Sequence, residues 1–188
     1  INIKFPDGSV RSFEKGVTGY EIAQSISPRL AAEVLAVSVK AADDTTMGKG
    51  TTYDLTHPIE EDSSVRLLKW DDDEGKKAFW HSSSHLMAEA LQNIYPQVKF
   101  GIGPAIENGF YYDIDLGDKK LTEAELPAIE NKMMELARTK EKFERESVSK
   151  AEALKFFTEN GNEYKVELIN DLTDGTITYY KNGNFTDL

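Results

Sequence analysis

Three features of the chain predict an α+β fold in two domains. Short alternating strands surround one capped helix at the start, a charged break falls near residue 70, and helical periodicity then alternates with turn-bounded aromatic runs. Ile1, Ile3 and Phe5 alternate, Pro6-Asp-Gly8 signals a turn, and Val10 and Phe13 resume, which reads as a β-hairpin. Thr18-Gly-Tyr-Glu21 has capping-box spacing and opens a short helix with Tyr20, Ile22, Ala23 and Ile26 inward; Ser27-Pro28 ends it. Val34 to Val39 is a buried strand, residues 54–59 form a turn region, and Ser64 to Leu68 closes the unit as a final strand. This order, over residues 1–69, is that of a β-grasp (ubiquitin-like) domain. His57, beside Pro58 in the turn region, reads as a surface residue.

Trp70-Asp-Asp-Asp-Glu-Gly75 has no periodicity and reads as a linker, residues 70–75, acting as a hinge. The second domain, residues 76–188, is expected to pack helices on an antiparallel sheet. Its first helix runs from about Lys76 to Tyr95, is stopped by Pro96, and carries an apolar stripe of Trp80, Met87, Leu91 and Ile94. Phe100 to Asp115 looks like strand–turn–strand, with Glu107-Asn-Gly109 at the turn. Leu121-Thr-Glu-Ala-Glu125 holds a second capping box, predicting a long charged helix to about Arg145 with Ile129, Met133, Leu136 and Ala137 inward. Ser149 to Asn160 is a further amphipathic helix stopped by Asn160-Gly161, and strands are expected at Tyr164 to Leu168 and Thr176 to Tyr180.

Composition narrows the function classes. A hydrophobic share of 39% with 29% charged residues is that of an ordinary soluble globular protein. The absence of Cys excludes disulfides and thiolate metal sites within these residues and fits a reducing compartment. No apolar run approaches the roughly 20 residues a membrane helix needs, and no signal peptide is present, so a cytoplasmic location without membrane contact is expected. The formal net charge is −11, with 8 basic and 10 acidic side chains in residues 1–70 against 14 and 23 in the rest. Nucleic-acid binders draw most of their affinity from a basic face, so any RNA contact here has to be local.

Two of the three histidines stand four residues apart, in His81-Ser-Ser-Ser-His85. At that helical spacing both rings project from one face, roughly 5–6 Å apart at Cβ. They could grip one metal ion, or share one water and one substrate oxygen. A metal hydrolase is disfavoured, because Ser82 stands where H-E-x-x-H has its Glu and no third strong ligand is in sight. The expectation is an accessible histidine pair in a groove, with no bound metal.

His81-Ser-Ser-Ser-His85-Leu-Met, Gly101-Ile-Gly-Pro104, Asn108-Gly-Phe-Tyr-Tyr-Asp113 and Tyr164-Lys-Val166 occur in that order behind the β-grasp unit. Together with Phe5-Pro-Asp-Gly8 and Thr18-Gly-Tyr-Glu-Ile-Ala23, they resemble the amino-terminal half of threonyl-tRNA synthetases: a TGS domain followed by an editing domain shared with alanyl-tRNA synthetases. The resemblance implies an ATP-dependent ligase of threonine and its tRNA that also hydrolyses misacylated Ser-tRNA. It implies His81 and His85 as catalytic groups orienting water and the 3′-terminal ribose, and Lys165 as a third that stabilises charge or holds the base. Gly103, Pro104 and Tyr112 would shape the pocket, and Asp187 would grip the substrate's amino group.

Asp187 and Leu188 match the first two positions of the family's Asp-x-Cys-x-Gly-Pro-His segment, and the sequence given ends there. The editing domain is therefore expected to be truncated, the 188 residues alone inactive, and the Cys and last His to lie beyond them. The same resemblance places ATP, magnesium, zinc and a homodimer contact in domains outside these residues, and no cofactor within them. A non-enzyme alternative is a TGS-type RNA-binding or regulatory module with a non-catalytic second domain.

Overall fold

The computed structural model describes residues 1–44 and 49–188 and divides into two compact units, Ile1–Phe79 and Trp80–Leu188. Both are α+β. In the first, β1 (Asn2–Lys4) and β2 (Val10–Ser12) form the expected hairpin, whose turn needs Gly8 at φ +83°. β3 (Val17–Thr18) leads into α1 (Gly19–Ile26) through a complete capping box. The Thr18 hydroxyl accepts from the Glu21 N–H, and the Glu21 carboxylate accepts from the Thr18 N–H. Gly19, Ile22 and Ala23 make the buried stripe; Tyr20 falls outside it and Ile26 lies in the open last turn, so both are exposed, contrary to expectation.

Ser27-Pro28 does more than end α1. The Ser27 hydroxyl caps the Leu30 N–H, and Pro28 takes the first position of α2 (Pro28–Glu33), where its missing N–H costs nothing. β4 (Ala36–Ala41), β5 (Thr51–Tyr53), β6 (Pro58–Ile59) and β7 (Ser63–Leu68) follow. The main sheet runs β2-β1-β7-β4-β5, with β1 parallel to β7 and the other neighbours antiparallel; β3 pairs with β6. Its inner face supplies Ile3, Val37 and Val65 to a core shared with Ile22 of α1. His57 is half-buried and stacks on Tyr53 at 4.0 Å between centroids, so it is tied into the turn rather than merely exposed.

α3 (Asp73–Ile94) begins inside the stretch read as a linker, with Asp73 and Glu74 in the first turn, where acidic side chains favour the positive helix end. The boundary between the two units falls within this helix. In the second unit, β8 (Lys99–Phe100) pairs with β11 (Ile114–Asp115) and encloses a second two-residue pair, β9 (Ala105–Ile106) and β10 (Gly109–Phe110). α4 (Leu126–Thr139) is shorter than expected at both ends. Thr122 donates to the Glu125 carboxylate in a turn ahead of the helix, and Lys140, left-handed at φ 56°, stops it.

Residues expected as the end of that helix instead form β12 (Phe143–Ser149). α5 (Lys150–Glu159) starts from a Ser149–Glu152 capping box. α6 (Glu163–Asp171) replaces the strand expected at Tyr164 to Leu168, because Lys165 and Ile169, four apart, are its buried positions. β13 (Thr176–Asn182) and β14 (Phe185–Asp187) complete an antiparallel sheet ordered β12-β13-β14. One face presents Phe185 to Ala88 and Leu91 of α3; the other presents Ile177 to Ala153, Phe157 and Ile169 of α5 and α6.

Candidate functional site

The 3.6-residue period of α3 sets His81 and His85 one turn apart, and the β13–β14 register sets Tyr180 directly opposite Asp187. These two elements meet. Nε2 of His85 lies 2.7 Å from Nε2 of His81, and its Nδ1 lies 2.9 Å from Oδ2 of Asp187. Lys165, from α6, donates to Oδ1 of Asp187 at 2.7 Å and to the Tyr112 hydroxyl at 3.0 Å. The Tyr112 hydroxyl in turn donates to Oδ2 of Asp187, and the Leu188 N–H donates to Oδ1 at 2.9 Å. Five side chains from four separate stretches of the sequence therefore share one hydrogen-bonded network centred on a carboxylate.

Burial decides what each member can do. His85, Lys165 and Asp187 are 3%, 3% and 2% exposed, whereas His81 and Tyr112 are half-buried. A carboxylate so deeply buried tends to take up a proton, and burial does push Asp187 upward. The His85 hydrogen bond and the Lys165 ammonium outweigh it and hold the carboxyl down at about 2. Burial pushes the Tyr112 phenol far above its ordinary value, and the charge on Asp187 adds to this, so the phenol keeps its proton and donates.

The structure revises three expectations. The histidine pair is not openly accessible, since the β12–β14 sheet and its aromatic rings cover His85. The Tyr180 ring lies 5.7 Å from that of His85 and 5.9 Å from that of His81, with Phe143 at 6.5 Å from His85. Asp187 does not offer an oxygen to a substrate amine, because its two oxygens already accept from four donors. Lys165 sits on a helix, and its ammonium is turned inward to the carboxylate.

Gly103 has a steric reason: a Cβ there would come within 2.4 Å of the Tyr112 ring, so only glycine lets the loop pass under it. Pro104 follows, half-buried, just before β9. Sequence reasoning missed Tyr180 and Phe143, whose signal is cross-strand register and appears only once β12 and β14 are recognised. It also missed Glu89, one turn beyond His85 on α3, which accepts from Asn182 at 2.6 Å; both are buried. The spacing 81, 85, 89 carried that signal. Among the described residues no three His, Cys, Asp or Glu side chains are grouped to hold a metal ion, and no helix is long and apolar enough to cross a membrane.

Comparison with known proteins assigns the first unit. The family model for the TGS domain matches residues 1–69, the stretch that carries the β-grasp sheet and its capped helix. The relatives extend the likeness beyond the TGS domain to the whole chain. It is 57% identical over all 188 residues to the threonine–tRNA ligases of Parabacteroides distasonis and Bacteroides thetaiotaomicron, and 50% identical to that of Cytophaga hutchinsonii. The chain spans 28% of the length of each of these relatives. All of the site residues described above lie outside the TGS domain.

Proposed function

We propose that the chain is part of a threonine–tRNA ligase and that its second unit hydrolyses the ester joining a mistakenly attached serine to the tRNA 3′ end. Serine differs from threonine by one methyl group, which a binding pocket reads at only about 1–3 kcal/mol, so a separate hydrolytic site has a purpose. The observation that supports the reading is the hydrogen-bonded series from buried Asp187 through buried His85 to half-buried His81. Ionised Asp187 only accepts, which assigns the shared proton to Nδ1 of His85. In neutral His85 the Nε2 then accepts from Nε2–H of His81, and Nδ1 of His81 is the ring nitrogen without a proton.

The least buried ring of the pair thus carries the basic nitrogen, with a positioned imidazole and a carboxylate behind it. Such a base takes a proton from water as the water attacks the ester carbonyl, and gives it to the departing ribose oxygen as the acyl C–O bond breaks and free serine leaves. The charge that builds on His81 is stabilised through His85 by Asp187, in the way a third group orients a general base. Lys165 and Tyr112 act through Asp187 as positioning residues, fixing its rotamer and keeping it ionised. Threonine attachment with ATP, magnesium and zinc, a homodimer and a cytoplasmic location belong to the same proposal for the longer protein.

The test is His81→Ala in a full-length threonine–tRNA ligase carrying this region. Loss of the base is expected to slow Ser-tRNA hydrolysis at least about 100-fold while threonine attachment stays near normal. Undiminished hydrolysis in that variant would overturn the assignment.

A further inference from the structure

β14 is an edge strand paired with β13, so the place of Asp187 depends on where the β13–β14 hairpin lies along α3. Apolar packing sets this loosely. Phe185 rests on Ala88 and Leu91, and such contacts have no preferred direction. The polar side chains on the same faces are less tolerant. Tyr180 and Asn182, two apart on β13, meet His85 and Glu89, four apart on α3. Two strand residues advance about 6.7 Å and four helical residues about 6 Å, so the two rows keep step. The Tyr180 ring lies against both histidines, and the Glu89 carboxylate accepts from Nδ2 of Asn182 at 2.6 Å.

The Glu89–Asn182 contact stands at the hairpin turn. Asn182 and Phe185 are the last pair of the ladder, and Gly183 between them is left-handed at φ +57°. From there β14 runs back to set Asp187 opposite Tyr180. Glu89 and Asn182 are 6% and 5% exposed, so neither can turn to solvent for another partner. A slide of the hairpin by two residues would keep its faces, yet take the donor from Glu89 and move Asp187 about 6.7 Å from His85. Buried polar pairs distinguish registers that apolar contacts leave nearly equal.

We propose that Glu89 is a positioning residue of the hydrolytic site: its hydrogen bond to Asn182 sets the register of the β13–β14 hairpin on α3 and so places Asp187 on Nδ1 of His85. The inference rests on the reading that His81 is the base. The role needs a buried acceptor of the right length and not a negative charge. Burial and the Glu141 carboxylate both push the Glu89 carboxyl upward, so its surroundings resist that charge.

Glu89→Gln, Glu89→Leu and Glu89→Leu/Asn182→Leu test this. Gln keeps an acceptor, whereas Leu removes it and leaves the Asn182 amide buried without its partner. The double variant replaces the pair by an apolar contact of similar volume, which restores stability without direction. Histidine-ring ¹H–¹⁵N spectra of the 188-residue chain report where the His85 proton lies. Single-turnover hydrolysis of Ser-tRNA by a full-length ligase carrying this region, between about pH 6 and pH 9, reports the base.

Glu89→Gln is expected to keep the His85 proton on Nδ1 and hydrolysis within about twofold. Both Leu variants are expected to lose that preference and to slow hydrolysis about tenfold or more. The acid limb of their pH–rate profile should move to lower pH, because His81 is less basic without the carboxylate behind it. The double variant should show these changes while melting above Glu89→Leu. Unchanged His85 spectra and an unchanged acid limb in both Leu variants would assign the pair to stability alone and overturn the proposal. A Gln variant as slow as the Leu variants would overturn it too. The spectra are read without hydrolysis, so a failure of this inference is told apart from a failure of the hydrolytic reading.

Discussion

In the first unit the core is Ile3, Val17, Ile22, Val37, Ile59 and Val65, and Ser63 is the buried polar residue among those described. In the second, Ser84, His85, Glu89, Lys165, Asn182 and Asp187 are all buried beside the apolar clusters of α3, α5 and α6. Burying an apolar side chain stabilises by its area alone, whereas burying a charge costs several kcal/mol unless partners replace its water. The second unit has met that cost with four donors on one carboxylate. A fold does not need such a network to be stable, since apolar residues of similar volume do as well or better. Among the described residues such a network stands in the second unit, which is where the proposed chemistry is placed.

The contrast can be broken most sharply at its centre. Asp187→Ala leaves the Lys165 ammonium and the His85 ring buried without their acceptor, and is expected to destabilise the second unit by about 3–5 kcal/mol in urea unfolding. The acid dependence follows from the same residue. Its folded pKa, about 2, is below the ordinary 3.8, so its contribution is full above about pH 4 and is lost as pH falls toward 2. The variant should lack that acid-side loss.

A smaller effect of opposite sign is expected at Glu89. Burial pushes its carboxyl up, the nearby Glu141 adds to this, and Oδ1 of its partner Asn182 is buried without a hydrogen bond. Glu89→Gln removes the buried charge and supplies an amide that can donate to that oxygen. About 1 kcal/mol of stabilisation at neutral pH is expected, and thermal melting would read it. The smallest effect belongs to the first unit, where Thr18→Ala removes one cap from α1. A loss of about 1 kcal/mol or less is expected, with no effect on the site in the second unit.

How legible each unit is in the sequence follows the same division. Hairpin alternation at Ile1, Ile3 and Phe5 and the Thr18–Glu21 box are local signals, and they set most of the β-grasp unit. α2 was hidden because Pro28 stops one helix and starts another. In the second unit, the histidine pair is visible at helical spacing, and Lys165, Tyr112 and Asp187 enter through the family resemblance. The geometry that unites them was not legible. Glu144, Arg145 and Glu146 disguise β12 as a charged helix end, and β14 is three residues long. Lys165 reads as strand alternation until Ile169, one helical turn on, is seen to share its buried face.

The central claim is that Asp187 fixes the proton of His85 and thereby leaves Nδ1 of His81 basic. Long-range ¹H–¹⁵N spectra of the histidine rings in the 188-residue chain, recorded near about pH 8, report the tautomers directly, with His57 as the internal reference. The account predicts His85 protonated at Nδ1 and His81 at Nε2, with His85 losing its preference in Asp187→Ala. A wild-type His85 found protonated at Nε2 alone, or a His85 tautomer unchanged by removing Asp187, would contradict it.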